Sequence, residues 1–347
     1  MIKKHGGNVY KFAKENHIAV SEILDFSANI NPLGLPKGVH EAFSDLESIL
    51  NYPDPDYVDL VEAIARFENI SSDYILVGNG GIECIFLVAE HLKLNRMLIP
   101  VPTFVEYDRA YSKYGQVEKV VIEEPFTLDV EKLITKLDSC DGIVICNPNN
   151  PTGHLVDRKD LLKLLETGKM IVVDEAFIDF TNDEARSSMV KYINDYDNLV
   201  ITKSLTKFFA MPGLRLGYLM TSNKALLNDI KESRMPWSIN AIAAKAGSLV
   251  LKDEDYISKT KSWIKEERQY MLKALRTLDI EVFNTEGNYI FLKSILELDK
   301  KLAKYGIMIR SCSNYDGLTA GYYRFAIKDR EKNEVLLAAL KEILWKS

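Results

Sequence analysis

With 347 residues, 47% of them hydrophobic, the chain is long enough for one large domain with its own core plus a smaller one, and too short for a string of modules. Its formal net charge of -6, with lysines and arginines scattered among acids, argues against nucleic acid or an anionic membrane as the main partner, so any basic site must be local. The cysteines Cys84, Cys140, Cys146 and Cys312 contain no CxxC pair and sit mostly in apolar runs, which reads as reduced, buried thiols of a cytoplasmic protein.

The opening residues Met1-Ile-Lys-Lys-His-Gly-Gly carry charge with no apolar segment behind them, and no stretch approaches roughly eighteen uninterrupted apolar residues, so neither export nor membrane spanning is expected. Residues 1–36 have little periodic pattern. HGGN and then SANINPLGLP are turn chemistry, which predicts an arm that packs with the small domain.

From about residue 72, apolar runs alternate with helical patterns: YILVG, IECIFLVAEHLK, RMLIPV, FVEYDRAYSKY, VEKVVI, LDVEKLITKL, GIVICN, DRKDLLKLLE, MIVVDEA, NLVITKS and RLGYLM. Alternation of this kind builds an α/β sheet, and strand runs that are apolar throughout imply a largely parallel sheet with helices on both faces. After Pro236 comes long helical periodicity, then the strand candidates IEVFNTEGNYIFL, GIMIRS and YYRFAI and a closing helix from Arg330. The expected division is an arm over 1–36, a large domain over 37–238 and a smaller α+β domain over 239–347, with the chemistry between them.

Several polar turns fall where strands end, and ligands of open α/β sheets bind outside the carboxyl ends of strands. Gly78-Asn-Gly80-Gly81 before a helix can cradle a phosphate with free backbone NH groups, although alone it is a tight strand–helix turn. Asp174 closes VVDEA, where it serves either as a helix cap or as a carboxylate that keeps a pyridinium nitrogen protonated. Lys207 sits at a strand end turning into apolar FFAMPG, a place where desolvation lowers an amine's pKa and makes it a nucleophile for an aldehyde. Ser204 and Arg215 flank it and can grip a phosphate, with a surface salt bridge as the plain alternative for Arg215. The order Asn150, Asp174, Lys207, Arg215 makes one shared site the simpler explanation than four coincidences.

With NPNNPTG, VVDEAF, SLTKF and GLRLGY, the sequence resembles the class I/II, histidinol-phosphate aminotransferase-like family over essentially its whole length. The resemblance implies transferase fold type I and pyridoxal 5'-phosphate as cofactor. Lys207 would join its aldehyde, Asp174 would hold the pyridine nitrogen, Asn150 the ring hydroxyl and Phe104 the ring face. Gly80, Gly81, Ser204 and Arg215 would bind its phosphate. Tyr52, in Asn51-Tyr52-Pro53, would reach the cofactor phosphate of a neighbouring subunit, which implies a homodimer with shared active sites. Arg324 would grip the substrate carboxylate.

Phe177 departs from the aminotransferase pattern, which places a tyrosine three residues after the ring aspartate. HGGN, LDFSANINPLG, YPDPDY, DEAFIDF, SLTKF, MPWSIN and IRSCSNY together are similar to the threonine-phosphate decarboxylases of cobalamin biosynthesis. That similarity implies release of carbon dioxide from L-threonine O-3-phosphate, with His5, Asn29 and Arg310 binding the substrate phosphate. The choice of lyase over transferase rests on resemblance alone, and the sequence does not resolve threonine phosphate from serine phosphate, one methyl group apart. A nicotinamide dehydrogenase is set aside for want of an early GxGxxG, a regulator for want of a DNA-reading appendage, and a protein-bound metal because His and Cys never fall at ligand spacing.

Overall fold

The computed structural model describes residues 6–182 and 187–346. A seven-stranded sheet carries the larger part of the chain, in the order β2-β8-β7-β6-β5-β3-β4. Its strands are β2 (Ile75–Gly78), β3 (Arg96–Val101), β4 (Gln116–Val121), β5 (Gly142–Cys146), β6 (Met170–Asp174), β7 (Leu199–Ser204) and β8 (Gly217–Met220). Every apolar run singled out from Tyr74 onward supplies one of them. The pairs from β4 through β7 are parallel, and β8 runs antiparallel to both β7 and β2.

The alternation of side chains along these strands divides the core in two. Ile143, Ile145, Ile171, Val173, Leu199 and Ile201 pack into one apolar cluster, whereas Val144, Cys146, Val172 and Val200 pack into a second. Successive residues of a strand point to opposite faces, so both faces are buried and the strands read as continuous hydrophobic runs. Helices such as Gly81–Leu92 and Val130–Leu137 cover them, and their buried residues recur at helical spacing.

The C-terminal part forms an antiparallel sheet, β12-β13-β10-β9, from β9 (Glu281–Val282), β10 (Tyr289–Lys293), β12 (Arg310–Ser311) and β13 (Tyr322–Ala326). The predicted long helical region is broken into Ala241–Val250 and Glu254–Leu275, the second starting at an Asp253 cap that accepts from Tyr256 N. The helix Arg330–Trp345 closes the chain.

The first residues hold more regular structure than their pattern announced. A helix, Val9–Asn16, begins at Asn8, whose side chain accepts from Lys11 N. β1 (Leu24–Asp25) then pairs in parallel with β11 (Ile307–Met308), and Phe26 exchanges backbone hydrogen bonds with Met308 and Ala326. The segment is therefore stitched to the C-terminal sheet by non-local backbone pairing that no local periodicity encodes. All four cysteines are buried, and among the described residues no helix is long and apolar enough to cross a membrane.

Candidate active site

The ends of β2, β5, β6 and β7 bring Gly80, Asn150, Asp174 and Lys207 to one edge of the large sheet. Two glycines make the first turn possible. Gly80 has φ +84, and a Cβ there would come within 2.5 Å of Arg215 Nη2. A Cβ on Gly217 would meet Gly81 N at 2.3 Å, and one on Gly81 would sit 3.3 Å from Ser204 Cβ. The helix N-terminus at Gly81, Ser204 and the Arg215 guanidinium thus converge around a space that only glycines leave open, the geometry of an anion cradle.

Asp174 ends β6 in a buried position. Its Oδ2 accepts a 2.6 Å hydrogen bond from the Tyr107 hydroxyl, and its Oδ1 accepts one from Ala176 N at 3.0 Å. Burial pushes the Asp174 carboxyl upward, and the Tyr107 hydroxyl and the Lys207 charge oppose that shift. Tyr107 is itself fully buried, on the helix Glu106–Tyr111 three residues past Phe104, whose ring it meets edge-on at 5.5 Å. The sequence offered no sign of this partner, since a tyrosine on an amphipathic helix reads as ordinary core.

Lys207 lies in the short helix Leu205–Phe208 that follows β7, with Nζ donating to Ser204 Oγ at 3.1 Å. Nζ lies 5.5 Å from the centre of the Phe177 ring. Burial, and then the positive charges of Arg215 and Arg324, drive its amine below the ordinary lysine range, against the pull of Asp174. The desolvated lysine expected from the sequence is thus in place.

The loop that follows β5 is fixed by Asn149, which donates to Pro102 O and accepts from Thr103 Oγ1. Asn150 is left to face the site, and its Oδ1 accepts from Arg324 Nη1 at 2.5 Å and from the Tyr315 hydroxyl at 3.4 Å. Arg324 Nη2 donates to Ser27 O at 2.7 Å, while its buried Nε has no hydrogen-bond partner among the described residues. A buried guanidinium whose hydrogen-bond acceptors are both neutral is suited to receive an anion.

Arg310 and Arg324 are directly opposite each other in the β12–β13 register, and both are buried. Like charges at such a cross-strand pair are unfavourable unless anions compensate them. Arg310 donates to Asn314 Oδ1 at 2.8 Å.

The N-terminal segment crosses the same place. Ser27 meets Arg324, and Asn31 donates through its backbone to Lys207 O and through its side chain to Phe208 O. Between them Asn29 is buried, its Oδ1 without a hydrogen-bond partner among the described residues. His5 lies outside the described residues. Tyr52 is 78% exposed and stacks on Trp237 with ring centres 4.6 Å apart, away from this chain's own buried cluster. Ser27, Asn31, Tyr107, Tyr289 and Tyr315 were not anticipated from the sequence.

Pyridoxal 5'-phosphate suits these residues: a glycine-lined anion cradle, a lysine amine of lowered pKa and a buried carboxylate fit its phosphate, aldehyde and pyridine nitrogen. Comparison with known proteins agrees. The family described as aminotransferase class I and II matches residues 21–340. The chain is 40% identical to a threonine-phosphate decarboxylase of Salmonella typhimurium, over 98% of this chain and 96% of that relative. Among solved structures, a histidinol-phosphate aminotransferase from Clostridium acetobutylicum superposes with TM-score 0.90 at 37% identity, covering 94% of this chain and 100% of that one. The L-threonine-O-3-phosphate decarboxylase of Porphyromonas gingivalis does so with TM-score 0.81 at 27% identity, covering 92% and 99%. The chain belongs to the class I and II aminotransferase family, pyridoxal phosphate-dependent enzymes of transferase fold type I.

Proposed function

We propose that this chain is a carboxy-lyase that converts L-threonine O-3-phosphate to 1-amino-2-propanol O-2-phosphate and carbon dioxide, a step that supplies the cobalamin nucleotide loop. The observation that carries the substrate class is the pair of buried arginines facing each other across β12 and β13. A phosphorylated α-amino acid brings a carboxylate and a phosphate, one anion for each. The likeness to threonine-phosphate decarboxylases over nearly the whole chain supports the reaction.

When bound, pyridoxal phosphate supplies an aldehyde for linkage to amines and a ring that accepts the electron pair of a broken Cα bond. Gly80, Gly81, Ser204 and Arg215 would hold its phosphate, Phe104 would cover its ring, Asp174 would hold its nitrogen and Asn150 its hydroxyl. Arg324 receives the substrate carboxylate, and Asn29 and Arg310 receive the substrate phosphate, with His5 assigned there too. Lys207 would hold the cofactor's aldehyde, and its amine would carry the proton to the substrate Cα after carbon dioxide leaves. Phosphate binding energy offsets the cost of turning the carboxylate away from its best salt bridge.

The test is carbon dioxide release from L-threonine phosphate and from L-serine phosphate with no keto acid present, beside glutamate formation from histidinol phosphate and 2-oxoglutarate. Glutamate without carbon dioxide would sink the lyase reading in favour of an aminotransferase. That second reading draws on the close likeness to the Clostridium structure.

Tyr107→Phe removes the hydrogen bond to Asp174 Oδ2 while keeping the ring. Losing one donor to a buried carboxylate costs about 1–3 kcal/mol, so kcat falls roughly tenfold to a hundredfold and the cofactor dissociates faster on dialysis. Unchanged kcat and cofactor retention would show that Asp174 does not depend on Tyr107.

The assembly we assign is a homodimer that shares its sites. Leu46, Ile49, Leu50, Tyr52 and Met235 are all more than half exposed, and the Tyr52–Trp237 stack joins the two stretches of chain. Apolar surface of this kind marks an interaction face. Leu50→Asp is expected to give a monomer in sedimentation; a dimer that persists with unchanged affinity would place the contact elsewhere.

A further inference from the structure

Each of the two facing arginines rests on a tyrosine ring. The Arg324 guanidinium lies 5.5 Å from the centre of Tyr289, and that of Arg310 lies 5.4 Å from the centre of Tyr315. Both tyrosines extend from the C-terminal part of the chain to the loop after β5: the Tyr289 hydroxyl donates to Asn149 O at 2.7 Å, and the Tyr315 hydroxyl to Asn150 Oδ1. Tyr289 is fixed by strand β10 and by the edge-on Phe177 ring, 5.0 Å away. Tyr315 has a different setting, in the loop between β12 and β13.

That loop grips Arg310 twice, through the Asn314 side chain and through the Tyr315 ring. The ring belongs to a buried apolar cluster that also holds Phe126, from the loop after β4, and Phe283, Phe291 and Tyr322 from the C-terminal part. A cation over the face of a desolvated aromatic ring is held in direction as well as in place. At the far end of the same side chain, Asn150 Oδ1 is shared between the Tyr315 hydroxyl and Arg324. One residue therefore touches the arginine assigned to the substrate phosphate and the asparagine that the carboxylate-binding arginine holds.

We propose that Tyr315 is a positioning residue that aims Arg310 at the substrate phosphate with its ring and, through its hydroxyl on Asn150, makes the Asn150–Arg324 pair respond to phosphate binding. The proposal rests on the assignment of Arg310 to the substrate phosphate. It supplies the physical path by which phosphate binding energy reaches the carboxylate, a connection that two separate arginines do not provide by themselves. The hydroxyl also contacts the Arg310 side chain, so it bears on both arginines, whereas the ring bears on Arg310.

The experiment uses the full-length, cofactor-loaded protein and the variants Tyr315→Phe, Tyr315→Leu and Arg310→Gln, with circular dichroism to establish that each is folded. Binding of ethanolamine phosphate, which has the phosphate and the amine but no carboxylate, is measured by calorimetry, and kcat and KM are measured on L-threonine phosphate. Tyr315→Phe is expected to weaken ethanolamine phosphate less than Tyr315→Leu does, because the ring remains under Arg310 although the hydroxyl contact to it is lost. Its kcat is expected to fall about fivefold, for the lost hydroxyl contact. Tyr315→Leu is expected to weaken ethanolamine phosphate about tenfold and to lose turnover as well. If Arg310→Gln weakens ethanolamine phosphate but Tyr315→Leu binds it as wild type does, the role of Tyr315 is overturned and the substrate assignment stands. If Arg310→Gln leaves its binding unchanged, the assignment of the phosphate to Arg310 fails, and this proposal with it.

Discussion

Lys207→Ala is expected to abolish carbon dioxide release, by a factor of about 10⁴ or more, because the variant removes the amine proposed both to anchor the cofactor and to carry the proton. The fold should survive. Lys207 Nζ has a single hydrogen bond, to Ser204 Oγ, and it sits among like charges from Arg215 and Arg324. In the cofactor-free protein the native amine has a pKa below the ordinary 10.5, so the unfolded chain binds the proton more readily. Stability lost to that lysine is therefore largest below its native pKa and disappears as pH rises through the unfolded value. Replacing it should raise the urea midpoint of the cofactor-free protein at neutral pH and leave it unchanged at strongly alkaline pH. Carbon dioxide release above one part in about 10² of wild type would remove Lys207 from its central role.

Lys203→Met, four residues earlier on β7, is expected to do the opposite. The β7 alternation sends Lys203 to the side of Leu199 and Ile201, where its Nζ lies 2.8 Å from Glu68 Oε1, 3.3 Å from Asp179 Oδ1 and 3.9 Å from Glu175 Oε2. Its side chain is 1% exposed and that of Glu175 is 0% exposed, and the Tyr218 hydroxyl donates to Glu68. Removing a buried cation that contacts three buried carboxylates should destabilise the protein by about 3–5 kcal/mol, the usual cost of leaving buried charge uncompensated. Burial already pushes the Glu175 carboxyl up to about 7, with Lys203 pulling it down. A carboxyl whose native pKa lies above its unfolded value costs stability as pH rises past the unfolded value. The loss in Lys203→Met is thus expected to be smallest near about pH 4–5, the unfolded carboxyl range, and largest above about pH 7. A urea midpoint within error of wild type at about pH 8 would mean that water, not Lys203, satisfies these acids.

The two lysines show where a sequence stops being informative. Lys207 was legible because its neighbours are local: a strand end, an apolar FFAMPG run, Ser204 before it and Arg215 after it. The strands were legible for the same kind of reason, since burial on both faces imposes continuous apolar runs. The glycine turn at Gly80 and Gly81, a plain strand–helix turn by itself, could be read as a phosphate cradle because Ser204, Lys207 and Arg215 follow in order.

Lys203 carried no such signal: in NLVITKS it reads as one polar residue near a strand end, and its acids come from residues 68, 175 and 179. Tyr107, Tyr289 and Tyr315 were equally silent. Nothing adjacent to any of them in the chain names a partner, and only the packing of separate elements gives each hydroxyl its acceptor. The first residues illustrate the same limit in the backbone, where β1 is a strand solely because β11 lies beside it. The sequence by itself determined the sheet's strands, the lysine that the structure finds desolvated and the residue types at strand ends, since these follow from periodicity and from local chemistry. The tertiary structure alone decided that Arg310 faces Arg324, which buried tyrosine serves which polar group and which lysine is structural, because those depend on contacts between residues far apart in the chain.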